Sequence, residues 1–91
     1  MRVARVIAGA IPASGQTVYL GKEASPQFRA NPIRLTLTEP AQPSSIDVAA
    51  GRSLQHAGWL MLTGWELDPR GRRTIHRSVT ARRMGLIIIV K

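Results

Sequence analysis

Trp59-Leu60-Met61-Leu62-Thr63-Gly64-Trp65-Glu66-Leu67-Asp68, then Pro69-Arg70-Gly71, then Arg72-Arg73-Thr74-Ile75-His76-Arg77-Ser78-Val79-Thr80, is the stretch that decides the fold. In its first run Trp59, Met61, Thr63, Trp65 and Leu67 share one parity, and Leu60 and Leu62 the other. That is the period of two of an extended strand. Apolar groups on both faces at its start predict a central strand or a barrel position. The parity that Trp59 and Trp65 share with Met61 and Leu67 predicts that both indoles fill the core, because aromatic side chains dominate small cores; exposed on a basic sheet they would instead stack bases. Asp68-Pro69-Arg70-Gly71 has the chemistry of a type I turn followed by a glycine bulge, with Asp first, Pro second and Gly fourth. The return strand runs from Thr74 to Thr80, with Ile75 and Val79 on one face and Thr74, His76, Ser78 and Thr80 on the other.

Working outward, Ile33, Leu35 and Leu37 alternate with Arg34, Thr36 and Thr38, a strand with one dry and one wet face. Pro40 and Pro43 end it. Thr17-Val18-Tyr19-Leu20 is a short β-prone run that stops at Gly21, and Pro12-Ala13-Ser14-Gly15 before it reads as a turn. Residues 22–31 are polar and contain Pro26, so a loop is expected there, with Phe28 as an anchor. Residues 2–8 carry Val3, Val6 and Ile7 and are read as a first strand. Arg2 and Arg5 ahead of a short apolar stretch resemble a signal peptide, but six apolar residues fall below the about 7–15 that a secretory core needs.

Residues 44–58 are read either as a mobile loop or as one or two helical turns capped by Ser45 and stopped by Gly51. Gly85 breaks the chain before Leu86-Ile87-Ile88-Ile89-Val90. That run cannot alternate wet and dry, so it must pair centrally or form a subunit interface, because exposed on an edge it would aggregate. The expectation is therefore a single mainly β domain over residues 1–91. It would be a small antiparallel barrel or roll of five to six short strands, with at most one short helix.

Ninety-one residues, 44% of them hydrophobic, suffice for one modest core and not for two domains. There is no cysteine, which excludes disulfides, thiolate metal sites and cysteine nucleophiles. No stretch approaches the about 20 apolar residues that span a bilayer, and a cytoplasmic location without membrane attachment is expected.

The formal net charge is +8, and arginine supplies eleven of the thirteen basic residues. Arginine-rich composition follows from GC-rich codon usage, so position matters more than number. Arg70, Arg72, Arg73, Arg77, Arg82 and Arg83 lie in one acid-free segment that holds +6 of the +8. Guanidinium groups gathered on one hairpin raise the local potential and attract polyanions. Arginine bonds phosphate and carboxylate alike, so an acidic protein partner stays open beside nucleic acid. Arg34, among the threonines of a polar face, and Tyr19 would extend such a surface.

Catalytic constellations are lacking, and no enzyme activity, metal or cofactor is expected. Gly15 and Gly21-Lys22 superficially resemble a phosphate-binding loop. Their spacing is one residue too long, and Glu23 stands where a magnesium-binding Ser or Thr belongs. His56 and His76 have no Ser or acid at a recognised catalytic spacing.

Thr17-Val18-Tyr19-Leu20-Gly21, Pro32-Ile33-Arg34-Leu35, Gly58-Trp59, Gly64-Trp65-Glu66-Leu67-Asp68, Gly71 and Gly85-Leu86 together form a layout. It is similar to that of short, uncharacterised actinobacterial proteins associated with mobile elements, near replication and transfer genes. The resemblance implies no activity and no site residues, and it inclines the reading toward nucleic acid. The expectation is binding of DNA or RNA through the arginine-rich hairpin, by phosphate contacts with weak sequence specificity. The alternative is an assembly module of a phage or mobile element, with Leu86, Ile87, Ile88, Ile89 and Val90 joining copies into a homo-oligomer.

Overall fold

The hairpin forms where its turn chemistry dictates. Gly71 N donates to Asp68 O (2.8 Å), Asp68 N donates to Arg72 O (2.8 Å), and Gly71 has φ +83°, the left-handed conformation that closes such a turn. The computed structural model describes residues 5–6 and 10–89. Among them are seven strands: β1 (Arg5–Val6), β2 (Thr17–Leu20), β3 (Ile33–Leu37), β4 (Gln42–Pro43), β5 (Trp59–Leu67), β6 (Arg73–Arg82) and β7 (Ile87–Ile89). One short helix, α1 (Ser45–Ala49), and 3₁₀ turns at Pro26–Phe28, Leu54–His56 and Arg83–Gly85 complete the described elements.

All pairings are antiparallel, in the order β1-β7-β2-β3-β5. β4 continues the edge of β5 beyond the end of β3, through Gln42↔Met61 and Pro43↔Leu60, and β6 takes the opposite edge of β5. The sheet curls into an open roll and does not close as a barrel. β6 reaches the far side at its end, where Arg82 N donates to Ala24 O (2.6 Å), and among the described residues no ladder joins the two edges. The strands of the curl pack closely at Gly64, where a Cβ would sit 2.0 Å from the Thr36 carbonyl oxygen. Only glycine allows β3 and β5 to approach so closely.

The inner face carries Val18 and Leu20 of β2, Leu35 and Leu37 of β3, Leu60 and Leu62 of β5, Val79 and Ala81 of β6, and Ile88 of β7. Leu86 and Phe28 join it, the latter as the expected anchor of the 22–31 loop. Burial of each large aliphatic side chain here contributes about 1.5–3 kcal/mol relative to exposure.

Two sequence expectations change. The tryptophans do not fill the core: Leu60 and Leu62 do, and Trp59 and Trp65 stand half-buried on the opposite, outer face. Residues 44–58 take the helical alternative, through α1 and the Leu54–His56 3₁₀ turn, and the cap is Ser44, one residue earlier than expected. Ser44 Oγ accepts from Asp47 N (3.3 Å) and donates to Asp47 Oδ2 (2.6 Å). The first strand is described only at Arg5–Val6; the rest of residues 2–8, like Val90, lies outside the described residues.

Asp47 is the organising group of that segment. Its buried carboxylate also accepts from the backbone amides of Gly58 (3.1 Å) and Trp59 (3.2 Å) and from Arg52 (3.2 Å). The Ser44 hydroxyl first, and then these amides and the guanidinium, hold its pKa below the usual 3.8, against the opposing effect of burial. One side chain thus ties α1 to the start of β5 and fixes where Trp59 emerges.

β7 pairs centrally, one of the two places its double-faced apolarity allowed. It bonds β1 on one edge and β2 on the other, with Ile88 buried and Ile87 and Ile89 facing outward. Its strand edges are therefore occupied within the chain.

Candidate nucleic-acid interface

The register assigns every outward side chain. Along one row, Ile87, Tyr19, Arg34, Leu67 and Arg73 are cross-strand neighbours; along the next, Ile89, Thr17, Thr36, Trp65 and His76. Then come Thr63 with Ser78, Met61 with Thr80, and Trp59 with Arg82. Between Trp65 and Leu67 the register shifts, so that Thr74 and Ile75 of β6 together oppose Glu66. This bulge decides the direction of Arg73: without the extra residue its parity would turn it to the inner face.

Each tryptophan carries a guanidinium. The Arg73 side chain lies over the Trp65 ring at 5.7 Å from its centroid, and that of Arg82 over Trp59 at 5.2 Å. His76 meets the Trp65 ring edge-on, with centroids 5.0 Å apart, and its Nε2 shares a hydrogen bond with Thr38 Oγ1 at 2.9 Å. Between the two indoles lie Thr63 with Ser78, 2.7 Å apart, and Met61 with Thr80, while Thr17 with Thr36, also 2.7 Å apart, flanks Trp65 in its own row. Beside Trp59 opens a hollow of about 310 Å³ bounded by Ser44, Ser45, Ile46 and Thr80. The two tryptophans are six positions apart along the strand, a span of about 20 Å.

The eight residues expected at the site are not brought together as one patch. Arg73 and Arg82 lie on the outer face at opposite ends, and neither has a carboxylate partner among the described residues. Tyr19 and Arg34 share the outer face near the Arg73 end, and Arg34 donates to the Asp68 carbonyl oxygen. Arg70 is exposed on the turn.

Arg72 is paired with Asp68 (3.2 Å). The Asp68 carboxyl is itself held below its usual 3.8, first by the Arg72 backbone amide, then by the Arg70 amide and the Arg72 guanidinium, with Arg34 adding its charge. Arg77 is on the inner side, bonded to Glu66 (3.0 Å) and lying 5.9 Å from the Phe28 centroid. Arg83 reaches the carbonyl oxygens of Leu54 and Gln55, where it ties the 54–56 turn to the end of β6.

Trp59, Trp65 and His76 are the members that sequence reasoning assigned elsewhere or left outside the site. The available signal was cross-strand. Once hairpin pairing is written out, the parity holding both tryptophans faces the polar parity of β6, with His76, Ser78 and Thr80, while Leu60 and Leu62 face Ala81 and Val79. Among the described residues no group of three or more His, Cys, Asp or Glu side chains is placed to hold a metal ion. No helix among them is long and apolar enough to cross a membrane. The chain matches no protein-family model, no curated protein and no solved structure.

Proposed function

We propose that this protein binds single-stranded nucleic acid across the outer face of its sheet. The observation that carries the reading is that both tryptophans face solvent on that sheet, each with an arginine stacked on it and lacking a carboxylate partner among the described residues. An indole with a guanidinium beside it offers a base a stacking surface and its phosphate a cation, the combination used by sequence-tolerant single-strand binders. Trp65 with Arg73 and Trp59 with Arg82 are the two principal contacts. His76 and the threonine and serine hydroxyls between them bond sugar and phosphate, and Arg34, Arg70 and Tyr19 extend the track at one end. Arg72 and Arg77 have their charge matched by Asp68 and Glu66 and contribute little.

A duplex presents its bases edge-on within grooves and denies them to a flat array of rings, so this surface favours single strands. Fluorescence anisotropy with single- and double-stranded oligonucleotides at several ionic strengths tests the proposal. With three or four phosphates neutralised, log affinity for the single strand falls with log salt at a slope of about −2 to −3. A salt-independent affinity, or a preference for duplex, contradicts it.

One observation favours an assembly role as the second reading. Ile46, Val48 and Met61 are exposed at 75%, 60% and 40%, and Val48 and Met61 line a groove of about 670 Å³ with Pro43 and Thr80. Apolar exposure concentrated there suits a protein partner better than a polyanion. Substitution of Val48 by Asp separates the readings: it abolishes assembly under the second and leaves oligonucleotide affinity intact under the first.

A further inference from the structure

We infer that the cavity on the far side of Tyr19 is a subsite for a nucleotide, recognised by its phosphate and its base together; this rests on the reading of the outer face as a nucleic-acid surface. The cavity measures about 320 Å³ and is lined by Tyr19, Gly21, Lys22, Glu23, Arg29, Pro32, Gly85 and Ile87. It lies where the outer face ends, between the loop after β2 and the start of β7.

Its wall is an aromatic ring in a determined place. Tyr19 is bonded into the sheet between Arg34 and Ile87, and 37% of its surface is open. The ring lies down over Gly21, where a Cβ would come within 3.2 Å of Cε2, so a larger residue at 21 requires the ring to give by about a few tenths of an ångström. A second hollow of about 160 Å³, lined by Arg34, Leu67 and Pro69, shares Tyr19 and Pro32 with the cavity.

Lys22 and Arg29 stand at the rim, both exposed, and neither has a hydrogen-bonded or ion-paired side chain among the described residues. Two cations close to one aromatic ring match a phosphate attached to a base. Glu23, also without an ion-pair partner among the described residues, is the one acid of the rim. Its carboxylate repels a bare polyanion but accepts from the exocyclic amine of adenine or cytosine. The mixture of charges therefore selects a nucleotide over inorganic phosphate.

The test is an amide-resolved NMR titration of the full chain with adenosine 5′-monophosphate, adenosine and inorganic phosphate in turn. The monophosphate shifts amides at 21–23, 29 and 85–87 and binds about tenfold more tightly than adenosine, the worth of one charge-assisted contact. Arg29→Glu removes that difference with the spectrum otherwise retained, and Tyr19→Leu weakens both adenine compounds. Equal binding of adenosine and its monophosphate, tighter binding of inorganic phosphate, or shifts confined to other residues overturn the assignment.

Two further arms separate the sources of the ligand and the underlying reading. An oligonucleotide with a 5′-phosphate that binds more tightly than its hydroxyl-ended twin places a strand end in the cavity. Equal binding of the two, with the monophosphate response intact, makes the ligand a free nucleotide. Trp65→Leu leaves the monophosphate response unchanged. A retained monophosphate response without any oligonucleotide binding refutes the outer-face reading and not the cavity; the converse refutes the cavity alone.

Discussion

Replacement of Trp65 by leucine and of Arg73 by glutamine, singly and together, interrogates the contact on which binding depends. Trp65 is half-buried on the outer face, with Thr36 and His76 as cross-strand neighbours and Arg73 above its ring at 5.7 Å. Leucine keeps an apolar group in that row and removes the stacking surface. Base stacking on an aromatic side chain contributes about 1–3 kcal/mol, so the single-strand dissociation constant rises about 5- to 150-fold. Arg73→Gln removes one phosphate contact and flattens the salt slope by about 0.7.

The two losses are not independent, because the guanidinium and the ring hold each other at the surface. The double variant falls short of the sum by about 0.5–1 kcal/mol, the worth of an exposed cation–π pair. Anisotropy against a fluorescent oligonucleotide measures each corner, and circular dichroism confirms that each variant is folded. An unchanged dissociation constant in folded Trp65→Leu refutes the reasoning, as does strict additivity in the double variant for the pairing argument.

Arg82→Gln weakens single-strand binding, whereas Arg77→Gln leaves it within about twofold, since Arg77 turns inward to Glu66 and Phe28; the same anisotropy assay decides. Leu62→Ala, in the fully buried face of β5, lowers unfolding free energy by about 2–5 kcal/mol in urea titrations, and Trp65→Leu lowers it less. The depressed pKa of Asp47 means that its stabilising effect is complete above the unfolded value near 3.8 and is lost as pH falls through the lower folded value. Melting temperature should therefore hold steady from neutral pH to about 5 and then drop, with a shallower acid drop in Asp47→Asn; an identical acid profile in that variant would show that Asp47 is not the titrating group. Ile88→Lys unfolds the chain instead of dissociating an oligomer, because Ile88 is buried between β1 and β2, and size exclusion with circular dichroism distinguishes the two outcomes.

The elements whose local chemistry is self-sufficient were legible in the residues. The Asp68-Pro69-Arg70-Gly71 turn needs only its own side chains, and β3 needs only its clean alternation. Both form as expected. The apolar run at 86–90 called for central pairing or a subunit interface, and its described part pairs centrally.

The direction of β5 was harder, because it is apolar on both parities and periodicity alone cannot choose a face. The choice is made by the partner strand, where only Val79 and Ala81 can seal a core, so Leu60 and Leu62 turn inward and the indoles turn out. The bulge at Thr74 and Ile75 then reorients Arg73, which no local pattern foretells. In the 44–58 segment the readable signal was Ser44 followed three residues later by Asp47, a reciprocal capping pair. That Asp47 also collects the amides of Gly58 and Trp59 depends on residues eleven and twelve positions away, and so emerges only in three dimensions. The arginine cluster was visible as charge, but its division among an outer face, an inward ion pair and a loop tie depends on strand register.

Intrinsic tryptophan emission reports on whether nucleic acid occupies the outer face, since the chain has two tryptophans and both lie on that face. Titration with an unlabelled single-stranded oligonucleotide at low salt should quench that emission saturably, and added salt should reverse it. Emission that stays constant while binding is detected by another probe would place the ligand elsewhere and contradict the account.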